Sequence, residues 1–353
     1  LDGHSLIAVR LFAMVKKAYR TEFPISILFE APTIRACAAL IAERVGDTGQ
    51  AGDASDKPKP KQPERRFRHL VAMHDGEGGS KTPFFLVAGM FGNVLNLRHL
   101  AHLLGNERRF YGLQARGLYG DEEPHQTITE AARDYIAELK QVQPEGPYLL
   151  GGFSGGGITA YEMAHQLEAM GDEVALVVLL DTPLPQRRPL EWKDRMLIQI
   201  AELRKKGIAY PFIWAKNRIA WEIRKRREFE ATEETGAFHD AEIEASFLSA
   251  VATYQMKPRD GRMVLFRPPL RGKWSVSNGR FVDDERAYLF HDNDWGQYTP
   301  QIEVCEVPGD HDSMVLEPNV RVLGAEMRRV IKLAEASDAG HGTVLPFASQ
   351  AAE

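Results

Sequence analysis

Tyr148-Leu149-Leu150-Gly151-Gly152-Phe153-Ser154-Gly155-Gly156-Gly157-Ile158 decides the fold of this chain. Tyr148 to Leu150 is a short apolar run and reads as a strand. A helical pattern runs from Ile158 to Ala169 and closes at Gly171. One serine among glycines joins the two. A serine on a strand-to-helix turn has a strained backbone and an exposed hydroxyl. The glycines are needed because a side chain there would strike the neighbouring strand or block approach to the hydroxyl. The N–H of Gly155 points to where an oxyanion would form. A glycine-rich turn with an N-capping serine is the bland alternative. Strand, elbow and amphipathic helix in this order argue against it.

A serine hydroxyl is a poor nucleophile without a base, and the base needs an orienting acid. Val174 to Leu180 is a continuous apolar run, which reads as a fully buried strand with Asp181 at its carboxyl end. Ligand sites of parallel sheets lie at that edge. Ile302 to Val307 reads as a last strand, and His311 sits on the tight loop after it. Asp283, Asp284, Asp292 and Asp294 are rival acids in polar stretches without a strand edge, and His291 and His341 are rival histidines. The chain order Ser154, Asp181, His311 is the order of α/β-hydrolases, so an α/β fold with a mostly parallel sheet is expected. A second oxyanion donor should come from the loop after an early strand. Phe84 to Val87 is such a strand, Ala88 to Asn93 the loop, and the N–H of Met90 the favoured donor. Met90 and Phe91 also suit an apolar pocket floor.

Residues from about 70 to 332 resemble the terminal thioesterase domain of nonribosomal peptide and polyketide synthetases. The matching pieces are Phe84 to Asn93, Phe110-Tyr111-Gly112-Leu113-Gln114-Ala115-Arg116-Gly117, the elbow, Leu179-Leu180-Asp181-Thr182-Pro183, and Val307-Pro308-Gly309-Asp310-His311. Ala88-Gly89-Met90 departs from the pattern, since that family often has a His-Pro or Pro-Pro pair there. The resemblance implies release of an acyl or peptidyl chain from a carrier-protein thioester through an acyl-enzyme on Ser154. Release is by hydrolysis or cyclisation.

Residues 1–45 resemble the carboxyl part of a peptidyl carrier domain, an all-α fragment. The match lies in Gly3-His4-Ser5-Leu6, Ala8-Val9-Arg10-Leu11, and Leu28-Phe29-Glu30-Ala31-Pro32-Thr33-Ile34; Asp2 stands where a glycine is common. From the residues alone Ser5 is an N-cap. The resemblance implies that it carries covalent 4′-phosphopantetheine, added by a phosphopantetheinyl transferase. It also implies upstream synthetase modules as partners, with the chain an excised end of a larger synthetase.

Gly46 to Arg66 is rich in Gly, Asp, Lys and Pro and reads as a flexible linker. Its mean span is on the order of 25 Å by the random-coil rule. The expected layout is a carrier fragment at 1–45, a linker at 46–66, a hydrolase domain at 67–335 and a tail at 336–353. Between Pro185 and Lys257 the pattern turns helical: Trp192 to Arg204, Tyr210 to Arg227, and Ala241 to Tyr254. An insertion between acid and base reads as a lid over about 185–257. Trp214 and Trp221 give it apolar content, and Arg224 to Arg227 a basic run that is either a solvated helix end or a dock for an acidic carrier surface.

With 353 residues and 44% hydrophobic content, the chain can bury one large core and a small one. A net charge of -5 gives no drive toward nucleic acid or anionic membrane. No apolar run is long enough to span a bilayer, and a cytoplasmic protein is expected. Cys37 and Cys305 fall in different expected domains and read as packing residues. The histidines show no metal-ligand spacing along the chain, so no metal is expected. Two other readings are open: a free-standing serine ester or amide hydrolase of the same fold, and an inactive carrier or docking module with a vestigial hydrolase domain. The carrier-like start argues against the first, and the Ser, Asp and His set against the second.

Overall fold

A computed structural model of the chain describes residues 14–15, 33–46, 67–74, 81–118, 122–206 and 241–338. Ser5, residues 47–66 of the expected linker, His341 and the tail beyond 338 lie outside them. So do Trp214, Trp221 and the Arg224 to Arg227 run. In the amino-terminal segment, helix α1 spans Ile34–Gly46 and buries Cys37. Cys37 and Cys305 are both free thiols.

The main body is built on a seven-stranded sheet in the order β1-β3-β2-β4-β5-β6-β10. The strands are β1 Leu70–His74, β2 Phe84–Val87, β3 Phe110–Leu113, β4 Tyr148–Phe153, β5 Val174–Leu180, β6 Met263–Arg267 and β10 Glu303–Glu306. Only β1 runs antiparallel to its neighbour. The central strands are apolar without alternation because both faces are covered. Phe84 and Leu86 enter one core layer, while Phe85 and Val87 enter the other. The first layer is closed by α2 (Arg98–Gly105) and α7 (Val320–Asp338), through residues such as Leu100, Leu104, Leu323 and Met327. The second is closed by α3 (Ile128–Val142) and α4 (Gly156–Ala169), through Ile136, Leu139, Met163 and Leu167. Each such side chain contributes about 1.5–3 kcal/mol on burial, so the sheet is a rigid base for what stands on its carboxyl edge.

Local signals set the ends of these helices. Thr127 caps α3 by accepting the Glu130 N–H at 3.1 Å, and Glu130 reaches back to the Gln126 N–H at 3.1 Å. Helix α4 ends where Gly171 takes φ +88° and the Asp172 N–H bonds the Leu167 carbonyl at 3.0 Å. It begins at Gly156, two residues before the apolar periodicity does.

Two features lie between β5 and β10. Helices α5 (Trp192–Lys206) and α6 (Ala241–Thr253) separate β5 from β6. The Tyr210 to Arg227 helix expected between them falls outside the described residues. A small antiparallel sheet of β7 Trp274–Ser275, β8 Phe281–Val282 and β9 Tyr288–Leu289 follows β6. Asp194 of α5 ties the two together. It is wholly buried, accepts the Ser277 N–H at 3.0 Å and the hydroxyls of Ser277 and Tyr288, and pairs with Arg280 at 2.9 Å. Burial alone would raise its carboxyl pKa, but these donors hold it below the ordinary value.

Candidate active site

The elbow is tightly packed. Ser154 has φ +52°, in the left-handed region that side chains disfavour. The turn holds it there: its N–H bonds the Leu180 carbonyl at 2.8 Å, and the Gly157 N–H bonds its carbonyl at 3.1 Å. A Cβ on Gly152 would overlap the backbone of Gly156 and Gly157, and one on Gly156 would overlap the Ala88 carbonyl. A Cβ on Gly157 would overlap the Thr182 side chain, and one on Gly155 would lie 2.5 Å from the Phe247 ring. The glycine run thus lets a helix start against two strand ends at once.

Ser154, Asp181 and His311 come together from three strand ends. Ser154 Oγ lies 2.9 Å from His311 Nε2, and His311 Nδ1 lies 2.7 Å from Asp181 Oδ2. A carboxylate only accepts, so Nδ1 carries the proton and Nε2 is left to accept from the serine hydroxyl. The hydrogen bond to Asp181 raises the His311 pKa above the ordinary histidine value, against the opposing effect of burial. Phe153 stacks on the imidazole at 5.3 Å between ring centroids. The loop below the histidine is locked reciprocally. The Asp310 N–H donates to Ser313 Oγ at 2.9 Å, and the Ser313 N–H donates to Asp310 Oδ1 at 2.9 Å.

The rival residues are occupied elsewhere. Asp292 accepts the N–H groups of Asp294 and Gly296 at 2.9 and 2.8 Å, closing its own turn. Asp283 accepts the Ala287 N–H at 2.8 Å, and Asp294 pairs with Arg188 at 2.6 Å. Asp284 lines the same cleft as His311, whose Nδ1 partner is Asp181. His291 lies against Arg267, with Nδ1 3.1 Å from its guanidinium.

One polar neighbour of Asp181 carries no signal in the sequence. Asn293 Nδ2 donates to Asp181 Oδ1 at 3.2 Å, so each carboxylate oxygen has its own donor. Asn293 itself has φ +49° and lies in a polar loop with no periodicity to single it out.

The expected oxyanion donors flank Ser154. Met90 follows β2 in a turn closed by the Gly92 N–H on the Gly89 carbonyl at 2.8 Å. A Cβ on Gly89 would lie 3.6 Å from Ser154 Cβ, which measures how closely this loop abuts the elbow. Among the described residues, neither the Met90 nor the Gly155 N–H has a main-chain acceptor. Met90, Ser154, Asp181, Asn293 and His311 share one open cleft of about 680 Å³. That size suits a small-molecule or acyl-chain ligand.

A mostly parallel sheet with a glycine elbow, and an acid and a histidine at later strand ends, defines an α/β-hydrolase fold. Residues 82–279 match the family model of the thioesterase domain, and residues 1–41 match that of the phosphopantetheine attachment site. The chain belongs to the thioesterase domain family, with a carrier-type segment ahead of it, as the sequence reading expected. It is 31% identical over 355 residues to the chondramide synthase of Chondromyces crocatus, covering 94% of this chain and 8% of that protein. It is 38% identical over 181 residues to a dimodular nonribosomal peptide synthase of Bacillus subtilis, covering 51% of this chain and 7% of that one. The chain therefore spans less than a tenth of either relative. Its fold also resembles that of a four-domain nonribosomal peptide synthetase bound to AMP and glycine. That match has a TM-score of 0.55 and 24% identity, over 93% of this chain and 24% of that structure. Among the described residues, no helix is long and apolar enough to cross a membrane.

Proposed function

We propose that the chain releases an acyl or peptidyl group from a carrier-bound thioester through an acyl-enzyme on Ser154. The observation that carries this reading is the unbroken line from Ser154 Oγ through His311 to Asp181, in a chain of the thioesterase family. Oγ attacks the thioester carbonyl carbon while His311 Nε2 takes its proton. Asp181 holds the imidazole in the required tautomer and stabilises the imidazolium. The N–H groups of Gly155 and Met90 receive the developing oxyanion, where preorganised donors are worth more than in water. The carbon–sulfur bond then breaks, and the proton on Nε2 goes to the departing thiolate. His311 next takes a proton from water, or from a nucleophile within the acyl chain, as its oxygen or nitrogen attacks the ester carbonyl; the bond to Ser154 Oγ then breaks, Nε2 returns the proton to Oγ, and the acyl group leaves as an acid or a ring.

When attached, 4′-phosphopantetheine supplies the thiol that presents the acyl group as a thioester. Ser5 is the residue proposed to hold it, loaded by a phosphopantetheinyl transferase, with upstream synthetase modules as the source of the acyl chain. The proposed layout is a carrier at 1–45, a linker at 46–66, the catalytic domain at 67–335 and a tail. Helices α5 and α6 belong to a lid over about 185–257.

A fluorophosphonate probe tests the reading. It should label one residue, Ser154, and Ser154→Ala should be both unlabelled and inactive on a soluble acyl thioester. Labelling at another serine, or turnover that survives Ser154→Ala, would overturn the assignment.

A further inference from the structure

Three polar side chains outside the cleft meet in a pocket that hydrogen bonding leaves unfinished. His69 precedes β1, His125 lies in the turn before α3, and Asp134 is in the second turn of α3. Both histidines are more than nine-tenths buried. Their rings lie 5.2 Å apart, and each also packs against Tyr135. The main chain of His69 is satisfied by Glu138 and Gln114. His69 Nδ1 and His125 Nε2, however, are buried without a hydrogen-bond partner. An unsatisfied buried group of this kind costs about 1–3 kcal/mol, so two in one place call for an occupant.

One donor atom each from His69, His125 and Asp134 lies within 4.8 Å of the other two. His125 Nε2 and Asp134 Oδ2 are 3.3 Å apart. Two metal–ligand bonds of about 2.0–2.1 Å at a tetrahedral angle separate their donor atoms by about 3.3 Å. That edge is already in place.

We propose that His69, His125 and Asp134 form a binding site for a zinc-class divalent cation, through one ring nitrogen of each histidine and a carboxylate oxygen. Two imidazoles and one carboxylate favour such a borderline cation over magnesium or calcium. The charged groups around the site are Glu122, Glu130, Asp134 and Glu138 against Arg68, Arg116 and Arg133. Arg116 is the main competitor, with Nη1 3.2 Å from Asp134 Oδ2. It keeps Glu130 at 2.6 Å and the Glu123 carbonyl at 2.8 Å if a cation takes that oxygen.

The role is structural. The cation joins the start of β1 to the start of α3, and His125 and Tyr135 line a small apolar pocket shared with Gly89 and Met90. It would therefore brace the loop proposed to hold the oxyanion.

The test titrates the metal-free full chain with Co²⁺ alone, followed by visible absorption. The expected result is one equivalent bound with the intense bands of a tetrahedral site, displaced by Zn²⁺, and a higher Tm with Zn²⁺. His125→Gln and Asp134→Asn should each weaken Co²⁺ binding at least tenfold while leaving metal-free hydrolysis of a soluble thioester intact. If one variant does not fold, the other carries the comparison. Absence of tetrahedral bands, or bands that persist undiminished in the folded variants, would overturn the site.

Discussion

Asp181→Asn tests the relay, because a neighbouring residue decides what the new amide will do. In the native site Asp181 Oδ2 accepts from His311 at 2.7 Å and Oδ1 accepts from Asn293 at 3.2 Å. An asparagine at 181 has one acceptor oxygen and one donor nitrogen. Asn293 demands the oxygen, so the nitrogen faces His311 and donates to Nδ1. That moves the imidazole proton to Nε2, which can then no longer accept from Ser154. A triad held in the wrong tautomer loses about 10⁴ in turnover, near 5.4 kcal/mol at 1.36 kcal/mol per decade. The same reasoning gives a reversal of sign. In the native background Asn293→Leu removes a donor to a charged acceptor, worth about 1.5–3 kcal/mol, so kcat should fall at least tenfold with KM unchanged. In the Asp181→Asn background Asn293→Leu frees the amide to turn its oxygen toward His311, and kcat should rise. Single-turnover acylation of the four proteins with a soluble acyl thioester decides it. If the double variant is slower than Asp181→Asn, by the factor Asn293→Leu imposes alone, Asn293 does not set the amide's orientation and the reasoning fails.

Other outcomes follow from the same geometry. Because His311, as the proposed base, must be neutral to act and its pKa is raised by Asp181, kcat/KM should climb through an apparent pKa above about 6.5. Asp181→Asn should move that limb to lower pH in a pH–rate profile. Stability runs the other way. A raised folded-state pKa stabilises the fold fully below the unfolded value near 6.5 and stops doing so as pH rises through the folded value, so the His311 part of Tm should decline where activity increases. Gly156→Ala would drive a methyl into the Ala88 carbonyl and bring it 2.7 Å from that of Val87. A loss of about 1–3 kcal/mol or more is expected in urea unfolding, with acylation slowed further by displacement of the Met90 loop. Unchanged stability would mean that the loop yields freely.

The sequence was most legible where burial is complete. Val174 to Leu180 could be bounded to the residue because both faces of β5 are covered and every position is apolar or small. The elbow was readable because steric necessity wrote glycine at each crowded position. The sequence pattern makes the last strand too long, at Ile302 to Val307, because apolar content continues past the paired residues Glu303–Glu306. The small sheet of β7, β8 and β9 gave no signal, since two-residue strands have no period to detect. Among the acids, the sequence favours Asp181 over Asp292 and Asp294 only by its place at a strand end; in the fold the other two are also consumed by local turns and Arg188. His69, His125 and Asp134 were invisible as a set, because their proximity is made by β1 and α3 packing and not by spacing along the chain.

Of the six non-glycine residues with positive φ among the described residues, four line the cleft: Ser154, Asp181, Asn293 and Asp294. Each such backbone costs on the order of 1 kcal/mol, and glycine would relieve it. Selection for thermal robustness alone would therefore reward loss of the proposed nucleophile, its proposed acid and the acid's neighbour. Ser154→Gly should melt above Ser154→Ala for this reason. A laboratory lineage evolved by heat challenge, with turnover left unmonitored, would drift toward a sturdier and inert protein, and the first substitutions to accumulate would be at these left-handed positions.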